Sequence, residues 1–185
     1  MAISSHEPSL RSIVKSEAEY RSICVCIFAR REQGMQSHSS TVISGRTSTP
    51  PLRILIVDDD KTVRVALERL LSMCDGWTVV GEAGDGVEAI GKARELKPDV
   101  VIMDVTMPQM NGLQATPEIK KVTPETEILI LTQHDSAQIV QEARHAGASG
   151  YLLKSQAGSL LDAVETVGRH KLFFRRGDPP SSRTS

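Results

Sequence analysis

Short aliphatic runs, each followed by an amphipathic stretch, make up the middle of the chain. The runs are four to seven residues long, which is typical of strands buried on both faces of a sheet. The stretches between them repeat apolar residues at helical spacing, as Val63, Ala66, Leu67 and Leu70 do. The pattern predicts strands at residues 53–57, 77–83, 100–103, 127–132 and 150–153. It predicts helices at about 61–73, 86–96, 113–122, 136–146 and 158–170.

The regular alternation of strand and helix predicts the fold class. Strands joined by single helices form a parallel sheet, and right-handed connections place the helices on both of its faces. We therefore expect an α/β protein with a (βα)5 doubly wound parallel sheet. This is a flavodoxin-like three-layer α/β/α sandwich.

Two residues indicate where helices begin. Asp60 precedes the first predicted helix, and aspartate is a favoured N-terminal cap. Pro117 falls inside the third predicted helix, where proline removes an amide donor. We therefore expect that helix to start later, with Thr116 as its cap and Pro117 at its first position.

Composition divides the chain into three parts. Residues 1–51 are rich in Ser, Thr and Arg and end in Thr49-Pro50-Pro51, which predicts a flexible N-terminal extension. Met35, within it, offers a second candidate for the start of translation. Residues 52–170 contain all the predicted strands and helices and form the expected domain. Residues 171–185 are predicted to be a disordered basic tail.

Charge and cysteine content narrow the classes of partner. Residues 53–167 carry 11 basic and 18 acidic side chains, a net charge of −7. DNA affinity depends on basic clusters, so we expect no specific DNA binding by this chain. Three cysteines, Cys24, Cys26 and Cys74, suggest no disulfide framework and favour a reducing cytoplasm. The apolar run Ile23–Ala29 is too short to span a bilayer, so we expect no membrane partner.

Polar side chains lie at the end of four of the five predicted strands, either as the last residue of the strand or directly after it. Parallel strands present their carboxyl ends at one edge of the sheet, which is where such folds bind ligands. Carboxylates, a hydroxyl and an ammonium at one edge favour Mg²⁺-dependent phosphoryl transfer. The residues are Asp58-Asp59-Asp60, Asp104, Thr132 and Lys154.

Four segments resemble the signature blocks of bacterial response-regulator receiver domains, in the same order and at similar spacing. The resemblance covers about residues 52–170, and the third block and Arg169–Phe174 are similar to the NarL/LuxR class. Members of that class normally continue into a helix-turn-helix DNA-binding domain, which we do not expect here. The four blocks are Ile54–Asp60, Asp99–Gly112, Ile128–Asp135 and Gly147–Lys154.

The resemblance implies a role for each residue at the predicted edge. Asp104 is the implied phosphoacceptor, and a sensor histidine kinase would donate the phosphoryl group to it. Thr132 and Lys154 would contact phosphoryl oxygens and complete the catalytic set, while Thr132 and Tyr151 would form the conformational switch. The cofactor would be Mg²⁺, with Asp58 acting mainly through a bound water. Its implied ligands are the carboxylates of Asp58, Asp59 and Asp104 and the backbone carbonyl of Thr106.

The implied activity is regulatory, with at most self-catalysed phosphorylation and dephosphorylation, so we do not expect an enzyme in the usual sense. Output would pass through protein association after a shift between two conformations. The candidate homodimer surface is the face formed by helix 4, strand 5 and helix 5. These are the elements predicted at 136–146, 150–153 and 158–170.

Two other hypotheses remain open at this point. The segment 58–62 also fits the D-x-D-x-T pattern of haloacid-dehalogenase-type phosphatases, with Asp58 as nucleophile and Asp60 as general acid. That class needs an acidic pair after the lysine block, and Ser155–Leu161 contains none. It also leaves Asp104 without a role. The third hypothesis is a phosphorylation-independent scaffold that uses only the fold.

Overall fold

The structure, a computed structural model of the chain, describes residues 50–174. The expected N-terminal extension up to residue 49, with Cys24 and Cys26, and the tail from residue 175 lie outside the described residues. Within the described range, no helix has both the length and the apolar character needed to cross a membrane.

Within residues 50–174, one parallel sheet carries five α-helices, as the alternating pattern predicted. The strands are β1 (Leu52–Val57), β2 (Trp77–Ala83), β3 (Val100–Met103), β4 (Glu127–Thr132) and β5 (Gly150–Leu153). The helices are α1 (Lys61–Ser72), α2 (Gly86–Leu96), α3 (Gly112–Val122), α4 (Ala137–Ala146) and α5 (Leu160–Gly168), with a 3₁₀ helix (Lys154–Ser159) before α5. The strand order is β2-β1-β3-β4-β5. The predicted flavodoxin-like doubly wound fold is confirmed.

Aliphatic side chains cover both faces of the sheet. Ile54 and Ile56 of β1 pack with α1 and α5, whereas Leu55 and Val57 pack on the opposite side with α2, α3 and α4. All four side chains are almost completely buried. Removing this much apolar surface from water on both faces is the main stabilising contribution. It explains why the strands appear in the sequence as unbroken apolar runs.

Strand β2 contains an irregularity that the alternating pattern did not reveal. Its register against β1 shifts between Val79 and Gly81. Val79 packs on the side of α1 and α5, and Ala83 packs on the other side, although a regular strand would place both on one face. The shift brings Glu82 to the side of α1. Gly81 occupies the crowded side, where an added Cβ would lie 2.7 Å from Leu96 Cδ1.

The helix predicted at about 113–122 is present, but the later start expected for it, at Pro117, was wrong. Helix α3 begins at Gly112 and includes Pro117 in its second turn. Asn111 and Gln114 form a reciprocal capping box that satisfies the first amides, and this fixes the start well before the proline. Thr116 does not cap the helix, because its hydroxyl donates to the carbonyl of Gly112 at 2.7 Å.

The chain after α5 continues along the edge of the sheet, although residues 171–174 were expected to belong to the disordered tail. The Phe173 amide donates to Ser149 O, and the Tyr151 amide donates to Phe173 O, both at 2.9 Å. The Arg144 guanidinium lies 3.7 Å from the centre of the Phe174 ring. The segment therefore covers the otherwise open edge of β5.

Glycine at two helical positions should respond oppositely to one added methyl group. A Cβ on Gly112 would lie 2.0 Å from the carbonyl oxygen of Asp104, whereas a Cβ on Gly91 would meet nothing within 4 Å. We expect Gly112→Ala to lower the free energy of unfolding by about 1–3 kcal/mol through overpacking. Gly91→Ala should raise it by about 0.5–1 kcal/mol through helix propensity. Urea denaturation checks both, and unchanged stability of Gly112→Ala would contradict the close packing of α3 on this loop.

Candidate functional site

Three carboxylates meet at the edge of the sheet where the strands end. Asp58 and Asp59 come directly after β1, and Asp104 comes directly after β3. One oxygen from each lies within 4.8 Å of the others. Asp58 and Asp104 are buried, at 1% and 6% exposure, whereas Asp59 is exposed. The cluster therefore opens to solvent on the side of Asp59.

Lys154 joins the two buried acids. Its Nζ lies 2.6 Å from Asp58 Oδ2 and 3.0 Å from Asp104 Oδ2, with 9% of its side chain exposed. The other oxygen of each acid accepts a backbone amide, from Asp60 to Asp58 at 3.0 Å and from Val105 to Asp104 at 2.8 Å. Each buried carboxylate is thus held by one ammonium and one amide, which fixes its orientation.

Burial and neighbouring charges shift the pKa values of Asp58 and Lys154 in this cluster. Burial raises the pKa of Asp58, and the charge of Asp104 raises it further, against the opposing effect of Lys154. Burial alone would lower the pKa of Lys154, but its contacts with Asp58 and Asp104 outweigh burial and raise it. The charged form of Lys154 is therefore favoured by its two acidic partners, whereas burial makes proton binding to Asp58 easier.

The donor set fits Mg²⁺. Three carboxylates and one ammonium leave two excess negative charges, and Mg²⁺ prefers oxygen ligands while keeping several of its waters. The exposed side of Asp59 leaves room for such waters. Thr106, whose carbonyl was the fourth predicted ligand, lies in the loop two residues after Asp104.

The two predicted switch residues are linked through His134. Thr132, at the end of β4, is fully buried, and its hydroxyl accepts the His134 amide at 3.3 Å. Tyr151 is also buried, and its hydroxyl donates to the His134 carbonyl. The His134 ring nitrogen lies 2.9 Å from the hydroxyl oxygen of Thr106. His134 is exposed, yet its backbone contacts both predicted switch residues and its ring contacts Thr106.

Of two residues that contact the acidic segment, one was predicted from the sequence and the other was not. Asp60 caps α1, as predicted, by accepting the Thr62 amide at 2.7 Å. Arg64 was not singled out from the sequence, yet its side chain donates to the carbonyls of Asp58 and Asp59. In the sequence, Arg64 is an ordinary polar residue of a helix. Only its location one turn after the acidic triplet could have indicated a contact with that segment.

Known proteins similar to this chain are response regulators. The family model described as the response regulator receiver domain matches residues 54–165. YxjL of Bacillus subtilis, an uncharacterized transcriptional regulatory protein, is 40% identical over 125 residues, which are 67% of this chain and 57% of YxjL. The chain thus spans less than two thirds of that relative.

Two solved structures add a structural comparison. A LuxR-family two-component response regulator from Aurantimonas is 38% identical with a TM-score of 0.64, over 66% of this chain and 89% of that one. The CheX–CheY–BeF3–Mg²⁺ complex from Borrelia burgdorferi is 26% identical with a TM-score of 0.56, over 64% of this chain and 90% of that one. Both the expected family and the expected NarL/LuxR-type relationship are therefore supported.

Replacing Lys154 with methionine should strongly destabilise the metal-free protein. Two buried carboxylates would lose their shared cation, and breaking a buried ion pair costs about 3–5 kcal/mol. The loss of stability relative to wild type should become smaller as the pH falls. The pKa of Asp58 is already raised in the folded protein, so protonation favours the folded state between its folded and unfolded pKa values.

Urea denaturation at several pH values measures this effect. The control is Lys121→Met, which removes an exposed pair with Glu118 and should change stability by no more than about 0.5 kcal/mol. Equal stabilities of the two variants at neutral pH would show that Lys154 does not offset the buried acids.

Proposed function

The chain belongs to the response regulator receiver domain family, and we propose that Asp104 is its phosphoacceptor. The receiver domain is the phosphoacceptor of two-component signalling systems. The observation that carries the assignment is the position of Asp104 at the end of β3, the central strand of the sheet. Asp58 and Asp59 lie at the end of the neighbouring strand on one side, and Thr132 ends the neighbouring strand on the other. Asp104 is therefore the acid between the other carboxylates and the hydroxyl.

The proposed reaction transfers a phosphoryl group from a phosphohistidine of a sensor histidine kinase. A carboxylate oxygen of Asp104 attacks phosphorus, the phosphorus–nitrogen bond breaks, and the imidazole leaves with its electron pair and takes up a proton. Lys154 donates to one phosphoryl oxygen as a point charge, and Thr132 donates its hydroxyl to another. Hydrolysis of the acyl phosphate on the same residues would return the carboxylate.

Mg²⁺ is the proposed cofactor. The carboxylates of Asp58, Asp59 and Asp104 and the carbonyl of Thr106 would hold it, with Asp58 acting mainly through a bound water. When bound, Mg²⁺ supplies positive charge to phosphoryl oxygens beside an anionic nucleophile. The excess negative charge of the cluster supports this proposal, and the related complex from Borrelia contains both Mg²⁺ and BeF3.

Signalling is proposed to start at Thr132. The Thr132 hydroxyl accepts a hydrogen bond from the His134 amide, and a rotation of the side chain toward a phosphoryl oxygen would break this contact. Tyr151 holds the carbonyl of the same residue, so its buried rotamer would lose part of its support. The face formed by α4, β5 and α5 would then change, in a population shift driven by the phosphoryl contacts.

This scheme implies two partners. They are a sensor histidine kinase and, through the α4–β5–α5 face, a second copy of the chain. The acidic character of the domain supports the expectation of no specific DNA binding by this chain. A cytoplasmic location is proposed, because phosphoryl transfer from an ATP-charged kinase takes place there. The phosphatase hypothesis is not favoured, since Asp60 caps a helix where a general acid would be needed.

Phosphorylation should depend on Asp104. With acetyl phosphate and Mg²⁺, wild type should gain one acid-stable, hydroxylamine-labile phosphoryl group, measured by intact-protein mass spectrometry. Asp104→Asn should gain none, because it removes the nucleophile. The control is Asp75→Asn, an exposed acid between α1 and β2 at the opposite edge, which should be labelled like wild type. Label that persists in Asp104→Asn but vanishes in Asp58→Asn would favour the phosphatase, and no label on wild type would favour the scaffold.

Mg²⁺ should raise the midpoint of thermal unfolding, because it binds the folded state in preference to the unfolded chain. Asp59→Ala should abolish this shift. The matched control is Asp60→Asn, since asparagine also caps helices and Asp60 is outside the proposed ligand set. An unchanged Mg²⁺ response in Asp59→Ala, measured by scanning calorimetry, would remove Asp59 from the ligands.

A further inference from the structure

Arg64 reaches back from α1 to the loop that carries two of the acids. Its Nη1 donates to the carbonyl of Asp58 at 2.7 Å and to that of Asp59 at 3.3 Å. Only 16% of the side chain is exposed. Its own backbone amide donates to the Asp60 carbonyl at 3.1 Å. One residue therefore holds three successive peptide carbonyls of the acidic triplet.

Glu82 fixes the other side of the guanidinium. Its Oε2 accepts from Arg64 Nε at 2.9 Å, and the irregularity in β2 is what brings Glu82 to the side of α1. The Glu82 carbonyl in turn accepts from the Lys92 ammonium, which also pairs with Glu88 at 2.7 Å. The planar guanidinium is thus held at Nε and Nη1 in a fixed fork.

These contacts set the direction of two proposed metal ligands. A carbonyl oxygen that is held fixes its peptide plane, and the planes on either side of Asp59 determine where its side chain leaves the backbone. Asp59 is exposed, and no salt bridge of the described residues includes its carboxylate. Its orientation therefore depends on the backbone that Arg64 holds.

We propose that Arg64, anchored by Glu82, is a positioning residue that holds Asp58 and Asp59 in the geometry a divalent cation requires. This inference rests on the proposed function, because the cation concerned is the proposed Mg²⁺. Arg64 touches neither the phosphoryl group nor the metal in this scheme. It acts through the two backbone carbonyls.

The competing effect of Arg64 is charge repulsion, and it has the opposite sign. A guanidinium beside a cation site disfavours Mg²⁺, so its removal would strengthen binding if charge alone decided. Residues that orient metal ligands have the reverse effect, and their loss typically weakens affinity about 10–100-fold. The direction of the change in Mg²⁺ affinity therefore separates positioning from electrostatics.

The experiment measures Mg²⁺ affinity by isothermal titration calorimetry on the full chain, well below the unfolding midpoint. We expect Arg64→Ala to bind about tenfold more weakly than wild type. Arg64→Lys should also bind more weakly, because one ammonium keeps the charge but lacks the fork that reaches Glu82 and the carbonyls together. Glu82→Ala should weaken binding less, because the contacts to the carbonyls remain possible without their anchor.

The matched control is Arg69→Ala, which removes an exposed arginine from the last turn of the same helix. It should leave the Mg²⁺ affinity unchanged. Urea denaturation without metal reports the stability of each variant separately. If Arg64→Ala fails to fold, Arg64→Lys and Glu82→Ala decide the question.

Two results overturn the proposal in different ways. Wild-type affinity, or tighter binding, in Arg64→Ala and Arg64→Lys would show that Arg64 does not position the ligands, while the proposed phosphoacceptor function would stand. No Mg²⁺ binding by wild type, or binding that survives Asp59→Ala, would remove the proposed metal site and the role of Arg64 with it.

Discussion

Like charges placed together at the edge of the sheet are the constraint on which the site depends. Two of the three carboxylates are almost completely buried, and a buried charge is costly unless it is paired. Lys154 reaches both from the end of β5, two strands from β3 and three from β1. The strand order therefore allows one ammonium to form ion pairs with acids that follow two different strands.

The same arrangement explains why the site is poised to bind a cation. Lys154 offsets only part of the negative charge of the three acids. Its contacts with Asp58 and Asp104 raise the pKa of Lys154, whereas burial, with a further effect from Asp104, raises the pKa of Asp58. A divalent cation and a phosphoryl group together would change this balance. In the proposed function, this change in local electrostatics would favour one of two conformations.

Contacts lead from the site to the far edge of the sheet. Thr106 meets the ring of His134, and the His134 carbonyl accepts the Tyr151 hydroxyl. The Tyr151 amide then donates to Phe173, in the segment that covers the edge of β5. These hydrogen bonds connect the loop after Asp104 with the segment beside β5. In the proposed function, phosphorylation of Asp104 would affect the edge of β5 through them.

The sequence predicted the features that depend on local pattern. The apolar runs predicted the strands, and the polar residues at their ends predicted that Asp58, Asp59, Asp104 and Lys154 lie together. Asp60, just before α1, was predicted as the cap of that helix. The features it missed depend on contacts between distant segments. The register shift that turns Glu82 toward Arg64 and the pairing of Phe173 with Ser149 leave no periodic trace. The later start expected for α3, at Pro117, was wrong because the capping box of Asn111 and Gln114 fixes the start at Gly112, and the helix accommodates the proline.

In the proposed function, the buried acids and Lys154 form a phosphoryl-acceptor site with Asp104 as nucleophile. A crystal structure of the protein with Mg²⁺ and beryllofluoride, a mimic of the phosphoryl group, tests it most directly. We expect beryllofluoride bonded to Asp104, with fluorine atoms within hydrogen-bond distance of Lys154 and Thr132 and Mg²⁺ among the three acids. Beryllofluoride bonded to Asp58, with Asp104 unmodified, would contradict it.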